Sequence, residues 1–319
     1  MQDLRIAMVG CGQIANAHLK AIEACPRASV SFCVDIDEGR AEDAAQPHDA
    51  GFSARYDDAL DNDDVDAVVL CLPHNLHLGF TVSALMAGKH VLVEKPMALN
   101  EAEAREMVSA AEEADRHLMV GQSTRFLPSH QEAKSLIQSG RIGEPLNYSR
   151  QTCFWVERLS TDWRRDTAAC GGLYLPLFGS HDVDAMLWLL DDTPNQVSST
   201  IRSGSDLSEG DVDGWIGLNF ADGKVGSISF SLRSREVRRA SLIVGTEGTM
   251  LLEQSRLSVD GEEVSFDADR GAFERQMDAF VTSIREGVVP AVPGTDGVRT
   301  MRVLGLAREA SEQQATLAY

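Results

Sequence analysis

Short apolar runs alternate with stretches of helical period over the first 120 residues of the chain. Residues 4–9 predict a strand, and residues 13–24 a helix stopped by Pro26. Residues 29–34 predict a second strand, and the acidic, alanine-rich residues 38–45 a helix. Residues 67–72 are continuously apolar, as expected of a strand covered on both faces. A helical stretch at 76–87 ends at Gly88, a residue that closes helices in the left-handed conformation. Residues 90–93 predict another buried strand. Asn100, with Glu103 three residues on, resembles a capping box opening a helix to Asp115, and residues 118–120 close the series. Strands alternating with helices imply βαβ units and a parallel sheet.

The pattern changes near residue 122. A helix at 129–139 leads through Gly140 and Gly143-Glu144-Pro145 into β-rich sequence, with a second helix at 181–190. Asp222-Gly223 separates strands at 215–220 and 225–232, and Asp260-Gly261 separates strands at 256–259 and 264–266. Glu247-Gly248 marks a similar turn. Asp-Gly between alternating runs is a strong hairpin signal, so this half is expected to be an antiparallel sheet. Helices at 273–285 and 299–314 finish the chain. The expected fold class is α/β: a doubly wound parallel domain over residues 1–122, then an α/β domain with an open, mostly antiparallel sheet over 123–319. With no flexible linker, the two are expected to pack with a cleft between them.

Composition excludes several classes. Apolar residues reach 43% before the glycines are counted, enough to bury a core and unlike a disordered, collagen-like or disulfide-stapled chain. The formal charge of −20 repels phosphate backbones and anionic lipids, so neither nucleic acid nor a membrane surface is an expected partner. Six cysteines without a C-x-x-C pair read as buried, reduced thiols of a cytoplasmic protein. Met1 to Arg5 run straight into a strand without the features of a secretory signal, and no run reaches 18 apolar residues.

Gly10-Cys11-Gly12-Gln13-Ile14-Ala15 reads G-x-G-x-x-A between a strand and a helix. The first glycine permits the turn, the second lets backbone approach a pyrophosphate, and the small third residue lets helix and strand pack closely. The helix N-terminus then holds the diphosphate. Asp35, 20 residues beyond Ala15 at the end of the second strand, is placed to bind the adenosine ribose. A carboxylate there repels a 2′-phosphate, so NAD is expected over NADP, with Arg40 as the one nearby residue able to hold such a phosphate.

Glu94-Lys95-Pro96 follows a buried strand, at the carboxyl end where open α/β sheets bind ligands. A lysine there is positioned to polarise a substrate oxygen. Further along, Gly179-Ser180 precedes His181, Asp182 and Asp184 at a helix start, where a histidine can move a proton near neutral pH. These motifs, with Leu72-Pro73-His74-Asn75 and His77, Gly88-Lys89-His90-Val91, Gly121 to Arg125, Asp162-Trp163-Arg164 and Gly171-Gly172, resemble the Gfo/Idh/MocA family over essentially the whole chain. That family comprises nicotinamide-dependent oxidoreductases acting mostly on sugars, polyols and cyclic alcohols.

The resemblance implies that Lys95 is the catalytic lysine, that His181 is its proton-moving partner, and that Leu72, Pro73, Asn75, His77 and Glu94 border the cofactor. It also implies a homodimer or homotetramer. Arg125, Trp163, Tyr174 and Asp184 are candidate substrate contacts, core packing being the alternative for the two aromatic residues and a surface ion pair for Arg125. The family commonly carries an aspartate four residues before the histidine; here Leu177 stands there. A leucine neither orients a histidine nor binds a hydroxyl, leaving Tyr174 and Asp182 as replacements, or no replacement. A redox-neutral lyase or glycosidase with transient oxidation, and a non-catalytic NAD-binding regulator, stay open as alternatives. His74 and His77 lack further ligands at zinc spacing, so no metal is expected.

Overall fold

The computed structural model describes residues 3–205 and 208–319, so Met1 and Gln2, read as leading into the first strand, lie outside it. The chain forms two compact units, Met1–Ser123 with Arg270–Val298, and Thr124–Asp269 with Arg299–Tyr319.

The first unit begins with β1 (Leu4–Val9), α1 (Ala15–Glu23), β2 (Ala28–Val34), α2 (Glu38–Ala45), β3 (Gly51–Ser53), α3 (Tyr56–Leu60) and β4 (Ala67–Leu70). It continues with α4 (His77–Met86), β5 (His90–Glu94), α5 (Glu101–Ala114) and β6 (Leu118–Gly121). All six strands pair in parallel, in the order β3-β2-β1-β4-β5-β6. The order reverses beside β1, which sets a ligand crevice at the carboxyl ends of β1 and β4. β4 is buried at every position, as its unbroken apolar run requires. Asn100 caps α5 as expected, Oδ1 accepting from Glu103 N–H at 3.0 Å, while Glu103 Oε2 reaches back past the cap to accept from Leu99 N–H at 3.0 Å. β3 and α3 escape the hydropathy pattern because they are too short to show a period.

The second unit comprises α6 (Pro128–Gln138), β7 (Pro145–Trp155), α7 (Thr167–Cys170), α8 (Ser180–Leu190), β8 (Pro194–Ser203), β9 (Asp211–Phe220) and β10 (Val225–Ser231). β11 (Arg233–Gly245), β12 (Thr249–Glu253), β13 (Leu257–Val259) and β14 (Glu262–Glu263) follow. The sheet has nine strands in the order β14-β13-β12-β11-β7-β10-β9-β8-β15, closed at one edge by the C-terminal β15 (Leu317–Ala318). It is mostly antiparallel, but β7 and β10 pair in parallel. Asp260 and Gly261 both have positive φ (53° and 84°), which gives the β13–β14 turn the twist a two-residue hairpin needs. The last strand of that hairpin lies at Glu262–Glu263 rather than 264–266.

Before β15 the chain returns to the first unit as α9 (Ala272–Glu286), which packs on α1; a division at residue 122 does not include this return. Arg27 on the α1–β2 turn reaches Asp278 of α9 at 3.2 Å. The next helix, α10 (Gly294–Gln313), starts in the first unit and continues into the second from Arg299. All six cysteines are free thiols; Cys25, Cys33 and Cys170 are buried, whereas Cys11, Cys71 and Cys153 are half-buried, contrary to the expectation of six buried thiols. Among the described residues no helix is long and apolar enough to cross a membrane.

Candidate active site

The glycine turn is shaped by what a side chain would strike. Gly10 has φ +87°, and a Cβ there would lie 2.4 Å from the Cys71 carbonyl oxygen, so only glycine fits between β1 and β4. A Cβ at Gly12 would meet nothing within 4 Å, and Gln13 and Ile14 are exposed beside it. Ile14 caps α1 without a side-chain hydrogen bond, while Ala15 is buried where the helix meets the sheet. Asp35 ties the turn from below: its Oδ2 accepts from Cys11 N–H at 2.8 Å and its Oδ1 from Asp37 N–H at 3.0 Å. These residues fit a dinucleotide, with open backbone at Gly12, the N-terminus of α1 beside it and a carboxylate at the β2 end. Arg40 is exposed and turns to Asp37 at 3.3 Å.

Two buried histidines organise the ends of β4 and β5. Glu94 closes β5 with its side chain turned inward; Oε1 meets His18 Nε2 at 2.8 Å, and Oε2 accepts from Lys95 N–H at 3.0 Å. Burial pushes the Glu94 carboxyl up, but the His18 hydrogen bond and the charges of His18 and Lys95 outweigh it and hold it below its ordinary value. His18 is fully buried and lies edge-on to Phe273 of α9, centroids 5.0 Å apart. Lys95 itself is half-buried, joined to Pro96 by a cis peptide. His77, expected to border the cofactor, is engaged on both ring nitrogens by backbone carbonyls. It is fully buried, with Nδ1 2.8 Å from the Pro96 carbonyl and Nε2 3.0 Å from the Leu72 carbonyl. Burial lowers its pKa against the pull of those carbonyls, and it links the loop after β4 to the loop carrying Lys95. Leu72 and Pro73 are half-buried and Asn75 is exposed.

In the second unit, Asp211 of β9 anchors the approach to α8. Its carboxylate accepts from Leu173 N–H at 3.0 Å and Leu175 N–H at 2.5 Å. Gly172, at φ +128°, has no room for a Cβ beside Asp211 Oδ1 (2.4 Å), which explains the glycine pair. A π-helical turn, Leu175–Gly179, then feeds α8, with Leu177 buried in it. His181 is half-buried on the first turn.

Asp182 is the hub of this region: Oδ1 accepts from Arg150 Nε at 2.9 Å, and Oδ2 from Thr152 at 2.6 Å and Tyr174 at 2.5 Å. Burial, then the Asp182 charge, raises the Tyr174 phenol well above its usual value, so it stays a donor. The substrate role expected of three residues is corrected here. Tyr174 is fully buried, stacked on Phe230 at 3.7 Å, and presents no face to a ligand. Arg125 and Asp184 form a buried bidentate pair, Nε–Oδ2 2.7 Å and Nη2–Oδ1 2.6 Å, and hold each other rather than a hydroxyl. Trp163 is half-buried on a 3-10 turn, its ring under Arg164 at 5.4 Å.

Sequence reading missed His18, Arg150 and Asp211, all of which face inward. Alternation along β7 (Tyr148, Arg150, Thr152) carries the signal for Arg150, since an arginine among inward positions demands a partner. Among the described residues no group of three potential ligands is placed to hold a metal.

Residues 4–122 match the family model described as "Oxidoreductase family, NAD-binding Rossmann fold", and residues 130–251 match the GFO/IDH/MocA C-terminal domain. The chain belongs to the Gfo/Idh/MocA family. Among curated Gfo/Idh/MocA-like relatives, 1,5-anhydro-D-fructose reductase of Ensifer adhaerens is 28% identical over 79% of both chains. Myo-inositol 2-dehydrogenase of Thermotoga maritima is 25% identical over 98% of this chain and 97% of its own. The crystal structure of aldose-aldose oxidoreductase from Caulobacter crescentus covers the whole chain with a TM-score of 0.92 at 24% identity, which shows the Gfo/Idh/MocA fold. The first unit is thus an NAD(P)-binding domain.

Proposed function

We propose that the protein is an NAD-dependent dehydrogenase or reductase acting on a sugar, a polyol or another cyclic alcohol or ketone. The observation that carries the reading is the end of β5. The inward carboxylate of Glu94 holds the Lys95 backbone, so the lysine is presented from a fixed position at the strand's carboxyl end. Glycines 10 and 12, the start of α1 and Asp35 are the residues that would hold the dinucleotide. When bound, it supplies the acceptor or donor for the hydride.

Lys95 hydrogen-bonds the reacting oxygen and stabilises charge developing there. His181 takes the hydroxyl proton as the alcohol becomes a carbonyl, and returns it in reduction. Asp35, with Arg40 already facing Asp37, supports NAD over NADP. The names of the curated relatives, an anhydrofructose reductase and an inositol dehydrogenase, support the substrate class. Trp215, Leu242 and Leu251 are exposed on the sheet's outer face, which supports assembly into a homodimer or homotetramer through it; light scattering during gel filtration measures this directly.

The test is a panel of polyols and aldoses with NAD and with NADP, followed by absorbance of reduced nicotinamide. Reduction by at least one compound, faster with NAD, is expected. No reduction across the panel with either cofactor contradicts the reading.

A further inference from the structure

A small cavity in the second unit points to what its ligand carries. Alternation along β7 sends Arg150 and Thr152 to the face covered by α8, and Arg239 of β11 pairs in register with Thr152, so it leaves the sheet on the same side. The cavity, about 150 Å³, is lined by His130, Arg150, Thr152, His181, Asp182 and Arg239 among others. Its charges do not balance. Both guanidiniums are permanently cationic. Asp182 is the one carboxylate in the lining, and its oxygens already accept from Arg150, Thr152 and Tyr174. His130 is uncharged near neutrality, since burial and Arg150 push it down to about 3.

Arg239, itself solvent-exposed, is the one cation of the lining besides the Asp182-bound Arg150. Among the described residues no carboxylate lies within ion-pair distance of it, and its guanidinium lies against the Phe154 ring, 4.0 Å from the centroid. A guanidinium stacked on a ring keeps its edge for donation, and that planar fork matches a carboxylate. Two cations beside one engaged anion leave one unit of positive charge, the complement of a monoanion.

We infer that this cavity selects a substrate bearing a carboxylate, such as a uronic or aldonic acid, held by Arg239 and Arg150 beside His181. This rests on the hydride-transfer reading above and narrows its substrate class.

The test compares D-glucuronate, D-galacturonate and D-gluconate with D-glucose, D-galactose and myo-inositol, using the wild type, Arg239→Gln and Arg239→Lys with NAD. Turnover of a carboxylated compound is expected to exceed that of its neutral counterpart by about tenfold or more in kcat/KM, the size of one charged hydrogen bond. Arg239→Gln is expected to bring that ratio down through KM, and Arg239→Lys to restore part of it. Neutral sugars turned over as well as the acids, a ratio unmoved in Arg239→Gln, or glucose 6-phosphate outperforming glucuronate would each overturn the inference while the oxidoreductase reading stands. A second arm needs no chemistry: D-glucuronate is expected to raise the thermal midpoint of the wild type more than D-glucose does, and not that of Arg239→Gln. If no compound reduces nicotinamide, the hydride-transfer reading fails by itself. The thermal arm then decides the anion site, equal shifts with glucose and glucuronate counting against it.

Discussion

Glu94 in the first unit and Asp182 in the second are both buried carboxylates with both oxygens engaged, yet they do different work. Glu94 has one histidine and one backbone N–H, and its neighbour Lys95 supplies the compensating charge. Its effect is to hold a piece of main chain still. Asp182 is gripped by three side chains from three segments, and a second guanidinium is left in the cavity lining without a carboxylate. In the proposed function one carboxylate positions the catalytic lysine, and in the inferred anion site the other sets the charge left for a ligand. On that proposal the same residue type serves geometry in one unit and selectivity in the other, according to its partners.

The largest effect is expected at a third buried carboxylate, Asp184, whose partner is Arg125. Asp184→Ala leaves the Arg125 guanidinium buried without its carboxylate and is expected to cost about 3–5 kcal/mol, read by denaturant unfolding. The apolar double variant Arg125→Met with Asp184→Leu should recover most of that loss. A loss below about 1 kcal/mol for Asp184→Ala would remove the structural role given to the pair. His18→Ala tests Glu94 next: losing a hydrogen bond to a charged group should cost roughly 1.5–3 kcal/mol and lower kcat by misplacing Lys95. His18→Gln, which keeps a donor, should restore part of both; unchanged kcat in the alanine variant would disconnect Glu94 from catalysis.

Asp35→Ala should shift the NADP-to-NAD ratio of kcat/KM upward by about tenfold, one ~1.4 kcal/mol interaction. An unchanged ratio would show that the carboxylate does not discriminate. The smallest effect is a pH trend. Burial depresses His130 to about 3 and His90 to about 4, from an ordinary 6.5. The unfolded chain therefore takes up protons below pH 6.5 that the folded chain refuses. Stability from these groups is full above pH 6.5 and lost as pH falls toward 3–4. Thermal midpoints of His130→Gln should fall less steeply than those of the wild type over that window; parallel curves would contradict the assignment.

What the sequence discloses follows from how local each feature is. The Gly10–Gly12 turn, Asp35, Glu94 and Lys95 sit at strand ends whose positions follow from hydropathy, so their place in the first unit is legible from spacing alone. The short β3 and α3 have no period to read, and α9's return to α1 is a tertiary choice with no local signal. The second unit is harder because its partners lie far apart in the chain: Arg125 meets Asp184 across 59 positions, and Arg150 meets Asp182 across 32. A charged residue near a motif therefore reads as available for substrate although it is already committed to another side chain. Tyr174 is committed too, but to a near neighbour in the chain, its hydroxyl donating to Asp182 eight residues on.

The central claim is that Lys95 acts on the reacting oxygen rather than holding the fold or the dinucleotide. Calorimetric NAD affinity and turnover of Lys95→Met, measured side by side with the wild type on whichever substrate reduces the cofactor, test it most directly. Affinity within about threefold of wild type with turnover down by about 10²–10³ is the predicted result. Turnover above about a tenth of wild type, or NAD affinity lost in parallel with activity, would contradict it.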